Sequence, residues 1–150
     1  MNRPNWNEYF MSFARIAALR STCLRRQVGA VVVKDRRVVA TGYNGAPERV
    51  MNCDLRGCIR QEQSIPSGQC HEKCHGVHAE ENALLQAARF GQSIEGGIIY
   101  TTNSPCTMCA KSIINAGIVT VIYQDGYPDE IGRKLLIEAG ITLAQYKPNQ

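Results

Sequence analysis

Three residues in the middle of the chain have the types and spacing needed to bind one catalytic metal ion. His78 belongs to a His-Ala-Glu triplet, and Cys106 and Cys109 form a Cys-x-x-Cys pair that follows a proline. A catalytic zinc ion takes three protein ligands from histidine, cysteine or carboxylate and keeps a fourth position open for water. Two cysteines at a helix start present sulfurs one turn apart, where the positive helix end favours thiolate. We therefore predict that His78, Cys106 and Cys109 bind a catalytic Zn2+.

Glu80 adds a proton-transfer group to this predicted metal site. It lies two positions after His78, so its side chain leaves a helix in another direction and need not be a ligand. A carboxylate there can take a proton from zinc-bound water, deliver it to a ring nitrogen and later assist loss of ammonia. A lone Cys-x-x-Cys is often a structural zinc site or a redox pair. Together, His-x-Glu and Pro-Cys-x-x-Cys form the signature of zinc-dependent hydrolytic deaminases, with Glu80 as the catalytic proton shuttle.

The elements that would position these residues alternate in the second half of the chain. Hydrophobic periodicity and terminal glycines predict helices over 78–90, 106–116 and 131–139, and strands over 97–102, 118–123 and 141–144. The first half begins with an amphipathic helix over 5–19 and continues with a hairpin of strands over 28–33 and 38–43. This order predicts a largely parallel sheet joined to an antiparallel hairpin. Residues 48–77 show no such pattern and are expected to form a long functional loop.

Size and composition indicate a single domain over residues 1–150. The 150 residues are 44% hydrophobic and 20% charged, close to the averages of globular proteins. No segment approaches the ~18 apolar residues of a membrane helix, and the first residues lack a secretory signal, so we expect a cytoplasmic protein without a membrane partner. A net charge of +4 gives little support for a nucleic-acid partner. Seven cysteines, an odd number, argue for metal binding over a disulfide framework.

Beyond the zinc motifs, further segments identify a family resemblance. The chain resembles the cytidine/deoxycytidylate deaminase superfamily and, within it, the deoxycytidylate (dCMP) deaminases, especially the bacterial branch that includes late-competence-operon deaminases. The resemblance covers roughly residues 5–146. The segments that carry it are Arg20-Ser21-Thr22-Cys23, Val28-Gly29-Ala30-Val31, Gly42-Tyr43-Asn44-Gly45, Ile65-Pro66-Ser67-Gly68, His78-Ala79-Glu80 and Gly126-Tyr127-Pro128-Asp129.

The resemblance implies both a fold and a reaction. The fold is an α/β protein of the three-layer α/β/α cytidine-deaminase-like class, with a five-stranded mixed sheet. The reaction is hydrolysis of dCMP to dUMP and ammonia, which supplies dUMP for thymidylate synthesis, with zinc-bound hydroxide attacking C4 of the cytosine.

The resemblance also implies a set of substrate contacts. The implied substrate-binding residues are Arg25, Asn44, Ala79, Ser104, Pro105 and Tyr123. Arg25 would bind the 5′-phosphate, because a guanidinium makes bidentate, charge-assisted bonds to phosphate. Asn44 would bind the sugar, the Ala79 backbone would hold the pyrimidine edge, and Tyr123 would close over the nucleotide. The simpler alternatives are a solvated surface arginine for Arg25 and a turn residue for Asn44.

Assembly and regulation follow from the same resemblance. Enzymes of this group are commonly homohexamers that are activated by dCTP and inhibited by dTTP, with Mg2+ accompanying the nucleoside triphosphate. The implied effector-binding residues are Gly42, Tyr43, Asn44 and Gly45. Some members of the group lack allostery, so regulation of this chain is a hypothesis that the motif motivates.

Several cysteines and histidines remain once the catalytic site is filled. Related deaminases often carry a second, structural zinc, and by position its ligands here would be Cys23, Cys53, His71 and Cys74. Four such ligands would pin the irregular loop and stabilise the fold directly. The chain departs from the related sequences at Cys70 and His75, so the pairs His71/His75 and Cys70/Cys74 both stay open as donors. The alternative to a second zinc is that these cysteines are free, reduced thiols.

Two other functions stay open on the sequence alone. The first is a deaminase of the same fold that acts on free cytidine, guanine, a riboflavin precursor or tRNA adenosine. Dispersed basic residues argue against a tRNA substrate, and Arg25 would have no use in a free-nucleoside enzyme. The second is a non-catalytic, zinc-stabilised binding module in DNA uptake. Glu80 argues against that module, because a purely structural zinc site needs no acid–base residue.

Overall fold

One mixed β-sheet organises the molecule. The computed structural model describes residues 3–126 and 129–148. The strands are β1 (Gly29–Lys34), β2 (Arg37–Tyr43), β3 (Ile98–Asn103), β4 (Thr120–Asp125) and β5 (Thr142–Gln145). They lie in the order β2-β1-β3-β4-β5. Strand β1 is antiparallel to both β2 and β3, whereas β3, β4 and β5 run parallel, as predicted.

Helices cover both faces of this sheet. They are α1 (Trp6–Ala18), α2 (Cys53–Arg56), α3 (Ile59–Glu62), α4 (Ala79–Arg89), α5 (Thr107–Asn115) and α6 (Glu130–Glu138). Helix α1 packs on one face through a core that contains Phe10, Met11 and Ala14. Helices α4, α5 and α6 pack on the other face, in a second core. The predicted three-layer α/β/α class is therefore confirmed.

Alternation along the central strands separates the two cores. In β1, Ala30 and Val32 face the core of α4, α5 and α6, whereas Val31 and Val33 face the core of α1. Successive side chains of a strand point to opposite faces, so a strand covered on both faces must be apolar throughout. Burial of each valine side chain contributes roughly 1.5–3 kcal/mol. Helices α4 and α5 pack against these strands, which therefore determine where the two helices lie.

Gly42 allows α4 to approach the sheet closely. A Cβ atom at this position would lie 2.1 Å from the Ala79 carbonyl oxygen and 2.5 Å from the Ala83 nitrogen. Ala79 and Ala83 are themselves small and fully buried. This packing of small residues sets the distance between β2 and the first turn of α4, next to which His78 is located.

Residues 48–77 contain more local structure than the sequence indicates. The one-turn helices α2 and α3 and a 3-10 turn over His71–Lys73 lie within this segment. The expectation of a patternless loop was too simple, because single turns are too short to show a hydrophobic period. Elsewhere the predicted boundaries agree with the structure to within two residues. Tyr127 and Pro128 of the Gly126–Asp129 motif lie outside the described residues. No helix in the described ranges is long and apolar enough to cross a membrane.

Candidate metal centre

Two helix N-termini meet near the end of β3 and bring the predicted metal ligands together. His78 immediately precedes α4, and Cys106 immediately precedes α5, each with an extended backbone. Cys109 lies in the first turn of α5 and is buried. The first amide N–H groups of a helix lack intrahelical partners and create a positive potential, which favours anionic ligands at this point.

The donor atoms have the separation that a tetrahedral zinc ion requires. His78 Nδ1 lies 3.4 Å from Cys106 Sγ and 3.4 Å from Cys109 Sγ. Zinc–nitrogen and zinc–sulfur bonds of about 2.0 and 2.3 Å at tetrahedral angles place nitrogen and sulfur about 3.5 Å apart. The three residues therefore fit a zinc ion through one nitrogen and two sulfurs, with the fourth coordination position left for a non-protein ligand.

The charges of these side chains are strongly coupled. A hydrogen bond from the Cys109 thiol lowers the pKa of Cys106 to about 4, with a further contribution from His78. The same hydrogen bond, together with burial, raises the pKa of Cys109. The hydrogen bond to Cys106 also raises the pKa of His78, against the effect of burial. The lowered pKa of Cys106 favours its thiolate form, which is the form that binds a metal ion.

Glu80 lies directly beside this cluster and is almost completely buried, with 4% of its surface exposed. Its Oε2 atom lies 3.7 Å from Cys109 Sγ, and its Oε1 atom lies 3.4 Å from the Thr101 hydroxyl on β3. Burial raises the pKa of Glu80, and the positive charge of His78 opposes that rise. A carboxylate with a raised pKa can both accept and return a proton near neutral pH, as a proton shuttle must.

Asp129 fixes the start of α5 from the neighbouring helix. Its Oδ2 atom accepts a 2.7 Å hydrogen bond from the Thr107 backbone, and its Oδ1 atom accepts bonds from the Thr107 hydroxyl and the Gly132 backbone. Burial raises the pKa of Asp129, but these hydrogen bonds outweigh it and leave the pKa below its ordinary value. Because Thr107 follows Cys106, this carboxylate holds the α5 ligand turn against α6.

A cavity of about 380 Å³ opens onto the cluster. The predicted site residues that line it are Cys23, Arg25, Asn44, Gly45, Cys53, His71, Cys74, His78, Ala79, Glu80, Ser104 and Cys106. Pro105 and Tyr123 instead line a smaller cavity of about 120 Å³, which shares Ser104 with the first. The structure therefore brings most of the predicted substrate residues together but places Tyr123 outside the main cavity.

Three arginines line the main cavity and supply positive charge to it: Arg25, Arg26 and Arg60. Arg25 was a predicted site residue, whereas Arg60 was missed. Arg60 is buried, and the only side-chain hydrogen bond that it makes within the described residues runs from Nη2 to the Pro66 carbonyl at 3.4 Å. Within the described part of the chain, Arg60 Nε and Arg25 Nη1 are buried without a hydrogen-bond partner. The sequence offered no signal that distinguished Arg60 from the other basic residues of the 48–77 segment.

Asn44 is tied firmly into the cavity wall. Its Oδ1 atom accepts hydrogen bonds from the Ser21 hydroxyl at 2.6 Å and from the Val28 backbone at 2.8 Å. Its Nδ2 atom donates to the Arg26 carbonyl at 2.7 Å. The side chain thus connects the end of β2 to residues 21–28, which carry Arg25. Asn44 is not among the residues with a positive φ, so the alternative of a turn residue that tolerates positive φ does not explain it.

A second group of cysteines, Cys23, Cys53, Cys58 and Cys74, lines the same cavity. Burial raises the pKa of Cys53, and the nearby thiols of Cys74, Cys58 and Cys23 raise it further. Three of the four predicted second-site ligands are therefore neighbours, together with Cys58, which was not predicted. Among the described residues, they do not form a set of donors as close as that around His78.

His71, the fourth predicted second-site ligand, contacts the first site. Its Nδ1 atom lies 3.0 Å from His78 Nε2. Burial lowers the pKa of His71, and the neighbouring His78 lowers it further. The Gly42–Gly45 segment reaches the cavity with Asn44 and Gly45. Gly45 pairs with Val77, and the Tyr43 carbonyl accepts a hydrogen bond from Asn82 on α4.

Sequence relatives carry related names. The chain is 42% identical over 146 residues to ComE operon protein 2 of Bacillus subtilis, covering 97% of this chain and 73% of that protein. It is 45% identical over 128 residues to the deoxycytidylate deaminase of Mycobacterium phage D29, covering 82% of this chain and 97% of that one. It is 43% identical to the deoxycytidylate deaminase of Schizosaccharomyces pombe over 97% of this chain, but it spans only 45% of that protein's length.

Solved structures and a family model agree with these relatives. The dCMP deaminase of cyanophage S-TIM5, solved in complex with dCMP and dUMP, superimposes with a TM-score of 0.80 at 32% identity. The alignment covers 97% of this chain and 100% of that one. Residues 4–125 match the model of the cytidine and deoxycytidylate deaminase zinc-binding region. A histidine and two cysteines at zinc-binding distances, beside a buried glutamate, lie within those residues, and the chain belongs to the cytidine and deoxycytidylate deaminase zinc-binding family.

Proposed function

We propose that the protein catalyses the hydrolytic deamination of dCMP to dUMP and ammonia. The observation that carries this proposal is the cluster of His78, Cys106 and Cys109 with buried Glu80 beside it, at the wall of a cavity of about 380 Å³. The names of the mycobacteriophage and fission-yeast relatives and the dCMP-bound cyanophage structure support dCMP as the substrate.

His78, Cys106 and Cys109 would hold the zinc ion, which when bound supplies Lewis-acid activation of a water molecule. Glu80 takes one proton from that water and transfers it to the cytosine ring nitrogen N3. The water oxygen forms a bond to C4, and the C4–amino bond breaks. Glu80 returns the second proton of the water to the leaving amino group, which departs as ammonia. Burial of Glu80 excludes bulk water from these proton transfers.

Arg25 and Arg60 are proposed to bind the 5′-phosphate. Both guanidinium groups line the cavity and carry buried nitrogen atoms without partners in the described chain, and a phosphate would satisfy them with charge-assisted hydrogen bonds. Arg60→Met should raise the KM for dCMP by about 10–100-fold, the cost of losing a charged hydrogen bond of about 1.5–3 kcal/mol. The rate with deoxycytidine, which has no phosphate, should stay unchanged. Equal effects on both substrates would contradict the assignment.

The remaining substrate contacts are proposals of the same kind. The second N–H of Asn44 Nδ2 is available to the sugar, since the first is donated to Arg26. The backbone of Ala79 and the side chain of Ser104 line the cavity beside Glu80 and would contact the pyrimidine. Pro105 and Tyr123 line the adjoining cavity, so we propose that they reach the nucleotide only if the two cavities join when it binds.

A substrate panel tests the proposed reaction. Purified zinc-loaded protein is incubated with cytidine, dCMP, CMP and dCTP, and the uracil products and ammonia are quantified. We expect dCMP to give the highest kcat/KM. Preference for an unphosphorylated nucleoside or for another base would replace dCMP deamination with another reaction of the family.

We propose a second, structural zinc with the thiols of Cys23, Cys53 and Cys74 as ligands, all of which line the main cavity. The fourth ligand is His71, as predicted from the sequence, or Cys58, which lies among these thiols. Zinc content separates the alternatives: wild type should hold two ions per chain and Cys53→Ser one. Loss of the second ion in Cys58→Ser but not in His71→Asn would assign Cys58. A single ion per wild-type chain would mean that these thiols are free.

Regulation and assembly are proposed as the resemblance implies them: a homohexamer, with dCTP and Mg2+ as activators and dTTP as inhibitor. The Gly42–Gly45 segment contacts α4 through Gly42 and Tyr43, so a nucleotide bound there would act on the helix that follows His78. Rates measured against dCMP with and without dCTP–Mg2+ and dTTP test the regulation. Identical curves would remove it, and light scattering tests the hexamer.

A further inference from the structure

We propose that His71 is a positioning residue for the zinc ligand His78. The Nδ1 atom of His71 lies 3.0 Å from Nε2 of His78, and the two rings meet edge to face, with centroids 4.9 Å apart and planes inclined by 67°. The contact joins the 3-10 turn of the 48–77 segment to the start of α4. It engages Nε2 of His78, whereas Nδ1 is the nitrogen that faces Cys106 and Cys109.

The direction of this hydrogen bond follows from the chemistry of imidazole. His78 turns Nδ1 toward both cysteine sulfurs at 3.4 Å, so Nδ1 must keep its lone pair for the metal. A neutral imidazole then carries its hydrogen on Nε2, which must donate. His71 Nδ1 accepts that hydrogen. Such an acceptor orients a metal-bound histidine and makes it a stronger donor to the metal.

The same contact sets the tautomer of His71. Once Nδ1 accepts from His78, the neutral ring carries its hydrogen on Nε2. The turn that holds it is tightly constrained: Gly68 has a φ of 82°, and Cys70, which precedes His71, has a φ of 50°. In this tautomer neither ring nitrogen of His71 keeps a lone pair for the second metal, so the proposal favours Cys58 over His71 as the fourth ligand of the second zinc.

The proposal rests on zinc binding at His78, which is part of the proposed function, and it makes the 48–77 segment an outer support of the catalytic metal. Loss of an outer-shell partner of a metal-bound histidine costs about 10–100-fold in metal affinity or activity. The effect should appear in zinc release, whatever nucleotide the protein deaminates.

Two substitutions of His71 separate a hydrogen-bonding role from a packing role. His71→Phe keeps a ring of similar size but removes the acceptor, whereas His71→Asn loses the ring but places an amide oxygen near the Nδ1 position. The zinc-loaded full chain is mixed with a coloured chelator, and zinc release is followed. The phase absent from a Cys106→Ser variant identifies the catalytic ion. Glu72→Ala, an exposed change in the same turn, serves as the control.

We expect His71→Phe to weaken zinc binding at this site by about 10–100-fold, and His71→Asn to retain most of the wild-type affinity. The opposite order, or no loss in either variant, would overturn the proposal. A third outcome is equal loss in both variants together with an altered thiolate-to-metal absorption band after cobalt substitution. That result would make His71 a direct ligand and would also overturn it. Normal zinc retention with an unexpected substrate would overturn only the proposed reaction.

Discussion

Two walls of the same cavity differ in the side chains that they bury. The helical wall, residues 78–89 and 106–115, carries His78, Glu80, Cys106 and Cys109 on helix starts that are anchored by fully buried aliphatic side chains such as Ala83 and Ile113. The loop wall, residues 48–77, buries only Cys53, Cys58 and Arg60, and none of them is aliphatic. Hydrocarbon packing therefore stabilises the helical wall on its own. The loop wall has no such core, because its buried side chains are two thiols and a guanidinium.

This difference separates the chemistry from the recognition. The helical wall provides the rigid geometry that metal coordination and proton transfer require. The loop wall supplies groups that can bind a ligand: Arg60 Nε has no hydrogen-bond partner within the described residues, and Cys53 has Cys58 and Cys74 as neighbours. Arg25 and Cys23 add a second such nitrogen and a further thiol from outside this segment. We expect the loop wall to gain its full order from the metal and the nucleotide, and the helical wall to keep its fold without them.

Replacing Glu80 with glutamine should produce the largest effect. Glutamine keeps the size of the side chain but cannot move protons, so kcat should fall by about 10²–10⁴-fold while zinc content stays at the wild-type level. Steady-state ammonia release and metal analysis measure both quantities. Residual activity within tenfold of wild type would mean that the helical wall does not hold the proton shuttle.

The same variant should be more stable than wild type near neutral pH. Burial raises the pKa of Glu80 in the folded state. Its contribution to stability is therefore fully present below the unfolded pKa of about 4.3 and is lost as pH rises through the folded pKa. Glutamine avoids this loss, so the Tm difference between variant and wild type should grow from pH 5 to pH 8. A constant difference would contradict the raised pKa.

Removal of the metal should affect the two walls unequally. After chelation and gel filtration, limited proteolysis should cut first within residues 48–77, while far-ultraviolet circular dichroism keeps most of its amplitude because the helices and sheet pack on hydrocarbon. Activity should be lost and should return with added zinc. First cuts in α4 or α5, or a collapse of the helical signal, would show that both walls depend on the metal.

The sequence predicted the helical wall far better than the loop wall, and the reason is physical. His78, Glu80, Cys106 and Cys109 belong to short motifs beside amphipathic helices, where spacing along the chain determines spacing in the structure. The boundaries of β1 to β5 followed from their apolar runs in the same way.

The loop wall depends on contacts between residues that are distant in sequence. Arg60 reaches the cavity, and Cys53 approaches Cys23 and Cys74, through turns too short to leave a periodic pattern. His71 was predicted to be a ligand of the second metal, but its ring contacts His78, seven residues away. No spacing rule predicts that contact, because it depends on the left-handed turn at Cys70.

Two glycine-to-alanine substitutions test how tightly the helical wall and the loop wall are packed. Gly42→Ala would place a Cβ atom 2.1 Å from the Ala79 carbonyl oxygen, a backbone atom that cannot move without shifting α4. We expect destabilisation of about 1–3 kcal/mol or more and a lower kcat, because α4 carries Glu80. Gly76→Ala on the loop wall is the matched control, since its Cβ would lie 3.6 Å from its nearest neighbours. Equal unfolding free energies for the two variants would show that α4 does not need this close approach.

The smallest predicted effect concerns the joint between α5 and α6. Asp129→Asn keeps one acceptor oxygen for the capping bonds but places an amide group where Oδ2 accepts the 2.7 Å bond from Thr107. Loss of that bond should cost about 0.5–1.5 kcal/mol at pH 7. Hydrogen bonds hold the pKa of Asp129 below its ordinary value despite burial, so the stabilisation is present above the unfolded pKa of about 3.9 and disappears as pH falls through the folded pKa.

Denaturant unfolding of wild type and Asp129→Asn at pH 7 and near pH 3 measures this dependence. The difference between the two proteins should narrow at the lower pH, and a difference that does not change would assign the effect to packing. Because Thr107 directly follows Cys106, the variant should also release zinc faster from the helical wall, while the thiols of the loop wall keep theirs. Faster zinc release from both walls would mean that a change in the helical wall also disturbs the loop wall. The two walls would then not differ as a preformed wall and a wall ordered by its ligands.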